Sequence, residues 1–120
     1  MSAEYRTLIR VTADLQLVVE GQLVTLGAKL VSSELLTTRQ YRSIRNVHNQ
    51  QEIRAADLVE FIQNKVQQNP QCYHTFIAVL EQDRSQYGDI LETLGQTYNL
   101  FHKQTTSTIM ATPSDITGTR

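Results

Sequence analysis

The sequence predicts an all-α protein, a six-helix antiparallel bundle, on three observations. Between Gly27 and Gly88 the only glycine or proline is Pro70, so little interrupts helices there. No Asn-Gly or Asp-Gly pair marks a hairpin, and apolar residues nowhere alternate with polar ones at period two. They recur instead three and four apart, in six stretches with brief connections.

Taken in order, the first helix is expected over residues 4–19, with Leu8, Val11, Leu15 and Val18 as its stripe. Ile9, Leu17 and Val19 fall off that stripe, which predicts a bent or two-part helix buried on more than one side. Gly21 breaks it, and a second helix over about 22–32 carries Leu23, Leu26 and Leu30. A short third helix follows. Thr37 with Gln40 three residues on forms a capping box, each side chain satisfying a backbone N–H that the first turn leaves open. Leu36, Tyr41 and Ile44 are its apolar anchors, while Arg39, Arg42 and Arg45 recur every third residue and point another way. So short a helix is unstable alone and must be clamped by neighbours, with its arginines outside.

A fourth helix begins at Asn49, with Glu52 completing a second capping signal, and ends near Pro70. Ala55, Leu58, Ile62 and Val66 are its stripe; Ile53, Asp57 and Glu60 fall on the exposed side. Asn69-Pro70 starts a fifth helix over about 70–82, asparagine as the cap and proline at the first helical position, where its missing N–H costs nothing. Its stripe is Tyr73, Phe76 and Leu80. Ser85 is expected to cap a sixth, carrying Tyr87, Leu91, Leu94, Tyr98 and Phe101. From Gln104 the composition turns to Thr and Ser and the periodicity stops, so residues 1–103 are expected to form the domain and 104–120 a tail or linker.

The chain has 120 residues, enough for one core without staples, and a net charge of −1 that speaks against a general nucleic-acid or membrane-surface binder. Residues 1–50 carry six Lys/Arg and four Asp/Glu, residues 51–120 five and eight, so the molecule is mildly dipolar. No apolar run is long enough to span a bilayer, and the N-terminus lacks the apolar core of a signal peptide. A single cysteine, Cys72, excludes an internal disulfide and fits a reducing, cytoplasmic setting.

The run from Leu35 to Ile44 (Leu-Leu-Thr-x-x-x-Tyr-x-x-Ile), after a helix with Leu26 and Leu30, resembles helices two and three of caspase recruitment domains, members of the death-fold superfamily. Ala56-Asp57-Leu58-Val59-Glu60-Phe61-Ile62 resembles their helix four, and Tyr73 to Leu80, after a proline turn, their helix five. The bent first helix matches as well. The resemblance covers about residues 4–95; the sixth helix departs from it by running on through Tyr98 and Phe101. It implies the six-helix death fold and a non-enzymatic interaction module of apoptotic or inflammatory signalling. The implied partners are further copies of the chain, assembling into helical filaments, and other proteins with a matching domain, such as initiator caspases or adaptors.

Chemistry on the chain is sparse. Cys72 lies in the first turn of a helix, where a thiol pKa can fall, but His74 two residues on faces elsewhere; Cys72 shares a face with Phe76 and is expected as a small buried hydrophobe. His48, His74 and His102 have no metal spacing, and no glycine loop cradles a phosphate. No catalytic, metal or cofactor residue is expected. Charged faces are the better candidates: Lys29, Arg39, Arg42 and Arg45 on helices two and three, and Glu52, Asp57 and Glu60 on helix four. The resemblance implies that the first set on one copy docks against the second on another. Arg6, Arg10 and Asp14 give helix one a mixed contribution to the acidic side. The competing expectation is a small DNA-binding domain with the arginine helix as its reading head; the acidic second half counts against it.

Overall fold

The computed structural model describes residues 2–46 and 50–110, with side chains as far as position 102. Those residues form seven helices and no strand: α1 (Ala3–Arg10), α2 (Thr12–Glu20), α3 (Leu23–Ser32), α4 (Thr38–Arg45), α5 (Gln51–Gln68), α6 (Gln71–Glu81) and α7 (Arg84–Met110). The expected first helix is thus two-part, α1 and α2, parted at Val11 (φ −99°, ψ 15°). Thr7 and Thr12 supply the cause. Their hydroxyls donate back to the carbonyls of Ala3 (2.7 Å), Leu8 (3.0 Å) and Ile9 (2.8 Å), a competition with the helix ladder that bends helices. The bend shifts the stripe. Leu8, Val11, Leu15 and Val19 are buried, Val18 only partly, and Ile9 and Leu17 lie exposed rather than in a second buried face.

α3 ends in a Schellman motif. Leu35 N–H donates to the Leu30 carbonyl (2.9 Å) and Glu34 N–H to that of Val31 (3.0 Å), while the buried Leu30 and Leu35 supply the apolar pair that accompanies such ends. Glu34 sits at the left-handed position (φ 64°), usually glycine's because a Cβ crowds the carbonyl there. Glu34→Gly is therefore expected to raise stability by up to about 1 kcal/mol, read as a higher denaturant midpoint at unchanged slope.

α4 has the predicted capping box: Gln40 N–H donates to Thr37 Oγ1 (3.0 Å) and Thr37 N–H to Gln40 Oε1 (2.9 Å). It lies against α3 closely because position 27 is glycine; a Cβ there would stand 2.7 Å from the Tyr41 ring. Tyr41 crosses Gly27 and its hydroxyl donates to the Val24 carbonyl at 3.0 Å. On the other flank Arg54 of α5 donates to the Ile44 carbonyl (3.3 Å), a cation placed where the helix dipole is negative.

α5 is the central element, touching α1, α2, α3, α4 and α6. It begins at Gln51 with Gln50 at the cap and no side-chain cap bond; Asn49, expected at that position, lies outside the described residues, as does His48. Gln63 ties α5 across the bend, its amide donating to Thr12 Oγ1 (2.8 Å) and the Leu8 carbonyl (3.3 Å). The predicted stripe of Ala55, Leu58, Ile62 and Val66 is buried, joined by Val59.

Asn69 is extended and its Oδ1 accepts from Gln71 N–H (3.2 Å), as expected of a capping side chain. However, α6 itself runs from Gln71 to Glu81, and Pro70, with helical angles, takes the cap position instead of the first helical one. Ser85 is corrected. The helix starts at Arg84, two residues before a Ser85 cap would allow, the Asp83 carbonyl accepts from Gln86 and Tyr87, and Ser85 merely donates to the Asp83 carboxylate from inside the first turn. α7 then continues to Met110, six residues past the expected start of the tail at Gln104; residues 111–120 lie outside the described set. The core joins stripes from all seven helices, with Phe76, Leu8, Leu26, Leu30, Leu58 and Leu94 among its fully buried side chains. No helix of the described residues is long and apolar enough to cross a membrane.

Candidate functional site

Arg39 and Arg42 are exposed on α4 and make no hydrogen bond or ion pair among the described residues, whereas Arg45 lies over the Tyr41 ring at 5.3 Å from its centroid. That cation–π contact steadies one arginine of the three. Lys29 does not join them. Tyr41 covers the flank of α3 marked by Val24 and Gly27, and Lys29, two residues after Gly27, falls about 200° further round, on the flank away from α4. The basic surface is therefore the three arginines of α4, bordered by α3 through Val24, which is 54% exposed.

The acidic residues divide between two ridges. Asp57 and Glu60 follow Ile53 along the outer face of α5 at helical spacing, and Ile53 is 50% exposed as its position predicts. Glu52 is turned toward α2, where it lines a depression with Ala13, Gln16, Leu17 and Glu20. The seam is closed at that end by Gln51, whose amide donates to the Glu20 carbonyl. Asp14 is exposed on α2 one turn before Leu17. Arg6 leaves this surface altogether, its guanidinium lying 4.4 Å from the Phe101 ring centroid on α7. Arg10 is exposed and stays on the α1–α2 side. The mixed contribution of helix one thus resolves into Asp14 and Arg10 outside and Arg6 against α7. Among the described residues the ion pairs are His74–Glu4 (3.4 Å) and Arg84–Glu81 (3.1 Å); none links the α4 arginines to the α5 carboxylates.

Sequence reasoning missed one cluster entirely. Tyr73, His74, Tyr98 and His102 form a chain of ring contacts with centroids 5.1–5.7 Å apart, and Tyr98 donates to Glu4 Oε2 (3.2 Å), which also faces His74. It pins the start of α1 onto α6 and α7, across 94 positions of sequence in the Tyr98–Glu4 bond. Only the helical offset of Tyr98 and His102 by four residues gave any signal of it. The cluster borders an open cleft of about 620 Å³ between α6 and α7, over Gly88 and Gly95. Cys72 is partly buried against the core beside it, close to the expected role. No group of three or more potential ligands gathers for a metal among the described residues.

Burial pushes the Tyr73 hydroxyl well above the usual tyrosine range, with smaller contributions from Tyr98 and Glu4; Tyr98 is raised by burial and then by Glu4. These groups hold their protons more tightly folded than unfolded, so their stabilisation is complete below pH ~10 and declines as pH rises through the folded-state values. Denaturant midpoints are expected to fall above pH ~10, and more gently in Tyr73→Phe, where the shifted group is gone.

No protein-family model, characterised protein or solved structure matches this chain.

Proposed function

We propose that the chain is a homotypic interaction module of the caspase recruitment type, within the death-fold superfamily, acting in apoptotic or inflammatory signalling. On this reading α1 and α2 count as one bent helix, so the seven segments correspond to six. The mechanism is head-to-tail docking: the α4 arginines of one copy meet the carboxylates along α5 and α2 of the next. Such a contact uses two different patches and continues into a filament unless it closes into a ring. Charge steering speeds encounter, and arginine–carboxylate hydrogen bonds at short range fix the register.

The observation that carries the reading is that both charged surfaces stand outward on one chain, with no ion pair between them among the described residues. Other proteins with a matching domain, initiator caspases or adaptors among them, would use the same surfaces in a cytoplasmic complex. The test is sedimentation of the purified chain at rising concentration and falling salt. Assembly that grows along both axes is expected, since exposed charge pairs weaken with screening; a monomer throughout overturns self-docking.

A further inference from the structure

The described residues expose five large aliphatic side chains, and three of them border the charged surfaces. Leu17 is 72% exposed on α2 and Ile53 50% exposed on α5. Glu52 connects them: it lines the depression that Leu17 borders, and Ile53 is the next residue. The Gln51–Glu20 hydrogen bond fixes α2 and α5 together at this level, so Leu17 borders their seam and Ile53 stands next to it on the outer face of α5. Around them stand Asp14, Glu20, Glu52, Asp57 and Glu60, with Arg10 two turns before Leu17. Isolated surface aliphatics need no explanation, but a pair enclosed by like charges resembles the apolar centre and polar rim of an interface. Both lie outside the buried core cluster, so truncating them removes little buried surface.

We infer that Leu17 and Ile53 form the apolar centre of a docking surface for the α3–α4 face of a second copy of this chain. This rests on the proposed self-docking and adds which residues hold the contact once charge has steered it. Charge complementarity identifies the occupant. The rim is acidic, and the arginine set on α4 gives the described residues an outward basic surface to meet it. That surface too has an apolar border, Val24, whose carbonyl anchors Tyr41 beneath Arg45. Truncating side chains at a desolvated centre slows dissociation, whereas removing rim charges acts more on encounter and salt dependence.

The test combines two variants of the full chain. Leu17→Ser with Ile53→Ser disables the acidic face and leaves α4 intact; Arg42→Glu does the reverse. Each alone is expected to sediment as a monomer where wild type assembles, with at least a roughly tenfold weaker association constant and an unchanged thermal midpoint. Mixed, they are expected to form a 1:1 dimer that grows no further, because each retains the face the other lacks. Wild-type assembly by the Leu17/Ile53 variant, while Arg42→Glu fails to assemble, overturns this inference and leaves the self-docking reading standing. Wild-type assembly by Arg42→Glu overturns the reading itself, and the inference with it. A mixture that stays monomeric, both variants being folded, overturns the assignment of the aliphatic pair to the opposite face.

Discussion

Phe76→Ala is expected to cost ~3–5 kcal/mol of stability, the largest effect of any single truncation proposed for this chain. Phe76 is 1% exposed in the middle of α6, a helix that packs against α3, α5 and α7. Removing its ring takes apolar surface out of the core and leaves a cavity lined by side chains of several helices, each fixed by its own packing. Partial collapse cannot recover both terms. Domains of this kind have only ~5–15 kcal/mol in hand, so the variant is expected to be partly unfolded under mild conditions. Urea titration followed by far-ultraviolet dichroism checks it: the midpoint falls and the slope is kept. A midpoint shift below the ~1 kcal/mol typical of ordinary mutations would mean that the site is far less tightly packed than its burial indicates.

Arg42→Glu is expected to do the opposite: no change in the unfolding midpoint, and loss of assembly. Arg42 is exposed and makes no hydrogen bond or ion pair among the described residues, so its reversal should move stability by no more than ~0.5 kcal/mol. In a docked pair it would set a carboxylate against carboxylates, and like charges facing across an interface cost several kcal/mol. Arg45 is a poorer probe, because reversing it also disturbs the Tyr41 ring beneath. The stronger form is a swap. A chain carrying Arg39→Glu, Arg42→Glu, Asp57→Lys and Glu60→Lys should recover self-assembly and fail to join wild type. Light scattering of the two chains alone and mixed reads both outcomes. Failure of the swapped chain to self-assemble would move the acidic half of the contact away from Asp57 and Glu60.

What the sequence shows of this molecule follows the range of the forces involved. The Thr37–Gln40 box and the Asn69-Pro70 start are satisfied within three residues, so they are legible. The stripes on α3, α5 and α6 are legible because each buries one face. The Val11 break shows only as apolar residues off the stripe; its result, Val19 inside and Leu17 outside, depends on back-bonding threonines. Glu34 gave no sign because the residue that usually announces such a helix end is absent. Placement about the bundle is the least legible. Membership of neighbouring helices groups Lys29 with the arginines, yet which flank of α3 is covered depends on where Tyr41 finds room. Nothing local brings Arg6 to Phe101, or Glu4 to Tyr98.

If the proposed docking holds, Gly27 has a bearing on recognition that its position in a buried helix face conceals. The Tyr41 ring occupies the space where a methyl would stand, and Arg45 rests on that ring. The aim of the arginine helix is thus set by an atom that is missing from its neighbour. A single added carbon on α3, itself uncharged, would tilt α4 and redirect three guanidinium groups together. Partner choice could then drift through α3 without one arginine being exchanged.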